Sequence, residues 1–278
     1  MKIVVFANGI RGNLVCRRIN HTDHKILSIV TPKANSHFFS NIKTESEIIE
    51  AKDINNDEFI LRLEKLNPDI FLVAGFSIIL SSKLLSIPKI ASLNLHAGKL
   101  PKYRGGSPLN WQLINGEIKA GLSLIILDKG IDTGNILVQD EFTILDNDDI
   151  KDLHSKANSL FPELTLKALN KIKKGYRGVP QDESKALYWH QRNDNDGEIN
   201  FKTLKAIEAN RFIRALTHPY PGAWAYLGNK KIRFFRASIT KERIKGVPGR
   251  IVFIQGKGPY IICLYYAILI EEYSIEGD

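Results

Sequence analysis

The sequence predicts an α/β protein of two domains. The first is a Rossmann-like N-terminal domain, its mostly parallel sheet covered by helices on both faces; the second is a small C-terminal OB-like antiparallel β-barrel. Three observations carry that expectation. Over the first two-thirds of the 278 residues, short β-branched apolar runs alternate with amphipathic stretches, the pattern of βαβ units with right-handed crossovers. After Lys174 comes a stretch rich in turn residues and poor in periodicity. Beyond it, strand-like runs follow one another directly, separated by Gly-bearing turns, as in small barrels.

Four segments read as buried strands: "KIVVFA" (Lys2–Ala7), "KILSIV" (Lys25–Val30), "DIFLVAGF" (Asp69–Phe76) and "IASLNLH" (Ile90–His96). Each is short, apolar and bounded by polar residues. Helical patterns lie between them, at Asp57–Leu66 and Leu80–Ile87. "GLSLIILD" and "GNILVQDEFTIL" follow and close the region. A long amphipathic stretch from Asp148 to about Lys174 is entered through the cap-rich "DNDD", and Pro162 inside it predicts a kink or a split. One helix is expected around Thr203–Thr217. The strands "AWAYLG", "KIRFFRAS", "GRIVFIQ", "YIICLYY" and "ILIEEY" follow it. The expected boundaries are residues 1–178 for the first domain, 179–202 for a linker and 203–278 for the barrel.

Composition narrows the class of function. No apolar run approaches the roughly 20 residues that span a bilayer. The run after Lys2 covers only about five residues, too short for a secretory h-region, so a cytoplasmic protein is expected. Two cysteines, Cys16 and Cys263, lie far apart with no CxxC, which reads as two reduced structural thiols. The seven histidines are dispersed, and no ligand-spaced cluster implies a metal. A formal charge of +9 suits an anionic partner, and it equally suits a Lys-rich composition with no basic block.

The chemistry concentrates in "SLNLHAGKLPKYRGGSPLNWQLINGE", Ser92–Glu117. Alternate strand residues share a face, so Asn94 and His96 point one way. They stand at the C-terminal end of a strand, where open parallel sheets place their ligand crevice. Pro101 directs the loop that follows, and Gly105 and Gly106 let its backbone turn sharply or approach a ligand. A second loop, "LDKGIDTGN", carries Asp128 and Asp132. An amide, an imidazole and a carboxylate can together perform acyl transfer to an amine: oxyanion donor, proton acceptor, and orienting group. Taken alone, an Asn-x-His at a strand end is equally a structural polar contact, and "DKGIDTGN" an ordinary Asx-capped turn.

The linked runs "NLHAGKLPKYRGGSPLNWQLINGE" and "GLSLIILDKGIDTGNILVQ" closely resemble the formyltransferase family that uses 10-formyltetrahydrofolate. That family includes methionyl-tRNA formyltransferase, glycinamide ribonucleotide transformylase and the sugar N-formyltransferases. Its pattern is matched by Asn94, His96, Leu100, Pro101, Tyr103, Arg104, Gly105 and Asp132. The resemblance implies that His96 is the general base or proton shuttle, Asn94 the oxyanion donor, and Asp132 the partner of His96. "AGFSIILSSKLL" looks like the family segment lining the pteridine pocket. It implies a folate site built from Phe76, Ser77, Ile78, Ile79, Leu80, Leu100, Asp128, Gly130 and Ile131. The sequence departs from the family where Gly98-Lys99 replaces the common Ser-Leu after the His, which puts the packing of that loop in question.

"YWHQRNDNDGEINF" and "RFIRALTHPYPGAWAYLGNKKIRFFRA" resemble the linker and barrel start of sugar-nucleotide formyltransferases, notably the formyltransferase half of the bacterial enzyme acting on UDP-4-amino-arabinose. The resemblance implies a nucleotide-linked amino sugar as acceptor, for lipopolysaccharide or O-antigen synthesis, with methionyl-tRNA as the alternative. The basic run Lys230, Lys231, Arg233 and Arg236 reads either as tRNA contact or as charge on an edge strand. In the first loop, "ANGIRGN", Asn8, Gly9 and Arg11 are phosphate candidates at a helix N-terminus. The loop lacks the G-x-G-x-x-G spacing of dinucleotide binders. Tyr103, Arg104, Gly105 and Gly106 complete the expected substrate contacts. The apolar last strands suggest a homodimer; no membrane or nucleic-acid partner is expected.

Overall fold

The computed structural model describes residues 1–45 and 47–276; the last two residues of the expected barrel segment lie outside them. The described residues form fourteen strands and six α-helices. The first half holds β1 (Lys2–Ala7), α1 (Gly9–Asn20), β2 (Lys25–Thr31), β3 (Ile48–Glu50), α2 (Asp57–Lys65), β4 (Ile70–Ala74), α3 (Ser82–Leu85) and β5 (Ala91–His96). Next come β6 (Arg104–Gly105), α4 (Pro108–Ile114), β7 (Lys119–Ile126), β8 (Ile136–Thr143), α5 (Ile150–Lys173) and β9 (Tyr188–Trp189). The rest is α6 (Ala206–Leu216), β10 (Ala223–Leu227), β11 (Lys230–Ser238), β12 (Ile251–Ile254), β13 (Gly258–Ile262) and β14 (Ala267–Ile275).

The chain divides into two compact units, each assembled from separate stretches. One comprises residues 1–105, 121–142 and 156–188, the other residues 106–120, 143–155 and 189–278. The first unit carries a seven-stranded sheet in the order β3-β2-β1-β4-β5-β7-β8. Strands β3 through β5 pair in parallel and β7 is antiparallel to β5. Central strands of such a sheet are covered on both faces, which is why β4 is buried at every position and reads as a continuous apolar run. Phe6 and Phe71 meet edge-on, 5.2 Å between centroids. Leu63 of α2 and Leu84 of α3 fill the same cluster. Helix α2 starts where Asn56 accepts the Phe59 N–H at 2.8 Å, an ordinary Asn cap.

Three local expectations are corrected. Helix α5 is not split at Pro162 but continues as one helix: Ala157, Phe161, Leu164, Ala168, Leu169 and Ile172 are all buried along one face, and that packing outweighs the one hydrogen bond a proline removes. Helix α1 begins at Gly9, so Arg11 and Gly12 belong to its first turns and not to a loop. Gly12 is there for close approach, since a Cβ would lie 2.7 Å from Ala7 Cβ and 3.1 Å from the Phe39 ring. The short β3 was not expected from sequence. It is three residues long and joins β2 only at the sheet's edge.

The second unit carries a five-stranded antiparallel sheet in the order β10-β11-β14-β13-β12. The segment Cys263–Tyr266, expected as strand, is instead the turn between β13 and β14, closed by the Cys263 N–H to Tyr266 carbonyl bond of 2.9 Å. Alternate residues Ile232, Phe234, Ile268 and Ile270 face a core shared with Ala209 and Ile213 of α6. Asp194 accepts from Arg233 at 2.7 Å and 2.9 Å and from Lys231 at 3.3 Å. The Arg233 bonds, ahead of the Lys231 bond, hold its carboxyl down to about 2. Both cysteines are free and buried; burial pushes each thiol up to about 12.

Two outcomes are expected. Gly12→Ala overpacks the α1–β1 contact and lowers stability by about 1–3 kcal/mol, read from the urea midpoint. The Asp194 carboxyl has a folded value below its ordinary value near 3.9, so its stabilising contribution is present above that value and drains as pH falls toward 2. Thermal melts of wild type should therefore fall more steeply from pH 4 to pH 2 than those of Asp194→Asn.

Candidate active site

The order β2-β1-β4-β5 reverses between β1 and β4, and the loops leaving the C-terminal ends of these strands flank the ligand crevice of open α/β sheets. Here those ends carry Asn8 after β1, Gly75–Leu80 after β4, and Asn94 and His96 closing β5. Asn8 is tied to the end of β4: its N–H donates to the Ala74 carbonyl at 3.1 Å.

Asn94 and His96, on one face of β5, both reach Asp132. Asn94 Nδ2 donates to Asp132 Oδ1 at 3.4 Å, and His96 Nδ1 lies 3.4 Å from Oδ2. The Gly105 backbone N–H donates to the same Oδ2 at 2.9 Å. His96 is 6% exposed and Asp132 12%, so the carboxylate sits where an unpaired charge would be costly and is met by these donors. Asp132 has φ +54°, a left-handed conformation that Asp tolerates better than most residues but that is uncommon. On the other side of the ring, His96 Nε2 lies 2.5 Å from the Tyr103 carbonyl. A carbonyl can only accept, so Nε2 carries its hydrogen in that contact.

The turn after His96 is held from below. Ser123, directly across from His96 in the β5–β7 register, donates to the Gly98 carbonyl at 2.7 Å. Its oxygen accepts from the Leu100 N–H at 3.2 Å and from Gln139 Nε2 at 2.9 Å. One hydroxyl donor and two acceptor positions are thus all used. Gly98 answers the departure from the family pattern: a Cβ there would lie 2.6 Å from His96 Nε2 and 2.7 Å from the Tyr103 carbonyl. Lys99 turns outward to Glu141, 3.1 Å away.

The expected folate residues fall on two loops and one turn. Phe76, Ile78 and Leu80 pack, with Leu127 from the second loop, on a single apolar cluster around Phe6, Val73 and Leu84. Ile79 and Ile131 are exposed at 79% and 59%, and Ser77 is exposed as well. Asn55 holds this loop, donating to the Ile79 carbonyl at 3.0 Å and accepting the Ser81 N–H at 2.8 Å. Asp128 accepts from the Gly130 N–H at 3.0 Å and from Thr133 Oγ1 at 2.6 Å, an Asx turn that shapes the loop bearing Asp132. Leu100 is buried.

The expected substrate residues scatter in role. Asn8 accepts from Asn35 at 2.6 Å. Arg11 donates to Asn158 at 3.1 Å and lies over the Phe161 ring at 4.7 Å. Tyr103 is buried, and Arg104 more completely so. The Arg104 guanidinium grips both Glu183 oxygens at 2.6 Å and 2.9 Å, with Tyr188 at 2.8 Å and Gln181 at 3.0 Å. The Glu183 bond, ahead of the other contributions, raises its pKa. Gln181 in turn donates to the carbonyls of Asp132 and Gly134, at 2.7 Å and 2.8 Å. Gly106 is pressed against the backbone of Gln191.

Sequence reasoning missed Asn55, Ser123, Gln139 and Gln181. Only Ser123 left a signal, a hydroxyl interrupting the apolar "GLSLII". Among the described residues, no group of three or more His, Cys, Asp or Glu is placed to hold a metal ion, and no helix is long and apolar enough to cross a membrane.

The chain is similar to known proteins. Residues 1–169 match the family described as formyl transferase, and residues 192–278 match the formyl transferase C-terminal domain. The bifunctional polymyxin resistance protein ArnA of Wigglesworthia glossinidia brevipalpis is 38% identical over 264 residues, 91% of this chain. The chain spans only 40% of that relative's length. Methionyl-tRNA formyltransferase of Caldanaerobacter subterraneus is 34% identical over 81% of this chain and 72% of its own. Among solved structures, the N-formyltransferase from Helicobacter canadensis, in complex with folinic acid and dTDP-3-aminofucose, superposes with a TM-score of 0.74. It is 22% identical, with 98% of this chain and 99% of that one covered. The sugar 3N-formyl transferase WlaRD, in the presence of dTDP and 5-N-formyl-THF, gives 0.70 at 20% identity, covering 100% and 98%.

Ser123→Ala strips the Gly98 carbonyl and the Leu100 N–H of a buried partner. A loss of about 1–3 kcal/mol is expected, measured by urea unfolding.

Proposed function

Because the chain belongs to the formyl transferase family by its match to both domains, we propose that it carries a formyl group from 10-formyltetrahydrofolate to the amine of a nucleotide-linked amino-dideoxy sugar. The product would serve a bacterial surface polysaccharide. The observation that carries the reading is the convergence of Asn94 and His96 on one carboxylate, that of Asp132.

In this reading the neutral amine attacks the formyl carbon, a C–N bond forms, and the carbonyl oxygen takes up negative charge. Asn94 Nδ2 turns from its long contact with Asp132 to donate to that oxygen. Once the contact with the Tyr103 carbonyl opens and the neutral ring holds its single hydrogen on Nδ1, steadied by Asp132, the bare Nε2 of His96 accepts the amine proton. Collapse of the adduct breaks the bond to the folate nitrogen, and His96 returns the proton to that nitrogen. The folate lies over Phe76–Leu80, Leu100 and the Asp128–Ile131 turn, with its apolar face on exposed Ile79 and Ile131. Asn8 and Gly9, at the topological switch point, are the diphosphate candidates, with Tyr103 through Gly106 facing the acceptor through backbone.

The sugar acceptor is favoured over tRNA by one observation. The basic strand of the second unit is neutralised locally: Lys231 and Arg233 pair with Asp194 and Glu276, and Arg236 with Glu271. That leaves those side chains less available to a polyanion.

Incubation with the folate donor and a panel of dTDP-, UDP- and GDP-linked 3- and 4-amino sugars, read by mass for one added carbonyl, is expected to identify an acceptor. Formylation of methionyl-tRNA alone would replace the sugar reading. His96→Ala and Asp132→Ala are expected to lower turnover by about 10²–10⁴ while folate still binds in titration calorimetry. Wild-type rates in either variant would refute the assigned roles.

A further inference from the structure

We propose that Gln181, outside the family's signature runs, is a positioning residue that holds Asp132 against His96 and so ties the segment after α5 to the chemistry. The proposal rests on the reading that His96 and Asp132 move the proton.

The geometry leaves one orientation for the Gln181 amide. Its nitrogen faces two carbonyls, those of Asp132 and Gly134, which can only accept. Its oxygen faces Arg104 Nε at 3.0 Å, which can only donate. Both amide hydrogens therefore go to the loop that carries the carboxylate, and the oxygen goes to a fully buried guanidinium. Arg104 is itself fixed by Glu183 and Tyr188. The anchor is firm because a charged group with no exposure must be hydrogen-bonded to stay buried.

Asp132 needs such an anchor. Its φ of +54° is a conformation that non-glycine residues hold only where surroundings over-determine it. The side chain is constrained by Asn94, Gly105 and His96. The backbone on either side of the bend is constrained by Gln181, through residues 132 and 134. Neighbouring Gly105 links the two halves: its N–H meets the carboxylate, while the preceding residue, Arg104, meets Gln181. Segment 104–105, loop 132–134 and residues 181–188 thus form one hydrogen-bonded knot beside the His96 ring. The route proposed from Gln181 to His96 runs through Asp132, while its oxygen steadies Arg104.

The test uses Gln181→Glu and Gln181→Met. The first keeps length and the oxygen for Arg104 but sets oxygens against both carbonyls; the second keeps length alone. Crystal structures of both variants should show the His96 Nδ1 to Asp132 Oδ2 separation widened beyond 3.4 Å. Turnover with the acceptor found above should fall about 10–100-fold, the scale of a roughly 1 Å misplacement. Donor KM should change by less than about threefold, as expected when a transition-state interaction is lost. In an Asp132→Asn background, Gln181→Met should bring no further loss, since its route is already cut. An unmoved carboxylate, or an equal further loss in that background, overturns the proposal. Wild-type turnover in Asp132→Asn instead overturns the proton-transfer reading, and the crystallographic arm still decides whether Gln181 holds Asp132.

Discussion

The carboxylate of Asp132 is the constraint around which the rest of this site is arranged. A nearly buried charge must be met by donors: here the Asn94 amide and the Gly105 backbone N–H donate to it, and the His96 imidazole lies alongside. Two devices deliver them. Strand β5 delivers the first and third because residues two apart share a face. Gly105 is delivered by the short β6–β9 pairing, in which the Arg104 N–H meets the Leu187 carbonyl at 3.0 Å. The left-handed bend at Asp132 then turns the loop back toward β5 from the far end of β7.

That return path explains an otherwise odd topology. Strand β7 runs antiparallel to β5, so its C-terminal end lies away from His96. An acid placed immediately after β7 would miss the imidazole. The loop instead leaves β7 at Ile126, makes the Asx turn at Asp128, and rejoins the sheet where the Ile126 N–H meets the Asn135 carbonyl at 3.0 Å. Gly134 fits this crossing because a Cβ would collide with the Ile126 carbonyl.

Beneath the ring, close packing accompanies the contact of His96 Nε2 with the Tyr103 carbonyl. Gly98 leaves the room that His96 and the Tyr103 carbonyl occupy. Ser123 uses all three of its hydrogen-bonding positions to tie the same turn to β7. The replacement of the family's more usual Ser-Leu by Gly98-Lys99 is therefore compatible with an ordered turn, with Lys99 pointing outward to Glu141. Polar groups that are all satisfied stiffen a site. Both sides of the imidazole are thus bounded by backbone that has little freedom to drift.

What the sequence alone determined is whatever depends on periodicity over a few residues. The strands β1, β2, β4 and β5 were legible because their apolar runs are continuous, and Asn94 and His96 because they break one such run at its end. The motif resemblance pointed to Asp132 from within a recognisable loop. What only the tertiary structure decided is whatever depends on groups far apart in the chain. Pro162 sits inside one continuing helix because a buried face outweighs one missing bond. Residues 106–120 and 143–155 group with the C-terminal stretch through contacts that no local pattern announces. Gln181 left no sequence signal, since one glutamine in a turn-rich segment looks like any other; its role appears only when the fold brings two carbonyls and a buried guanidinium to its two ends. Local chemistry is written in order along the chain, whereas long-range hydrogen bonding is selected by the packing that brings distant residues together.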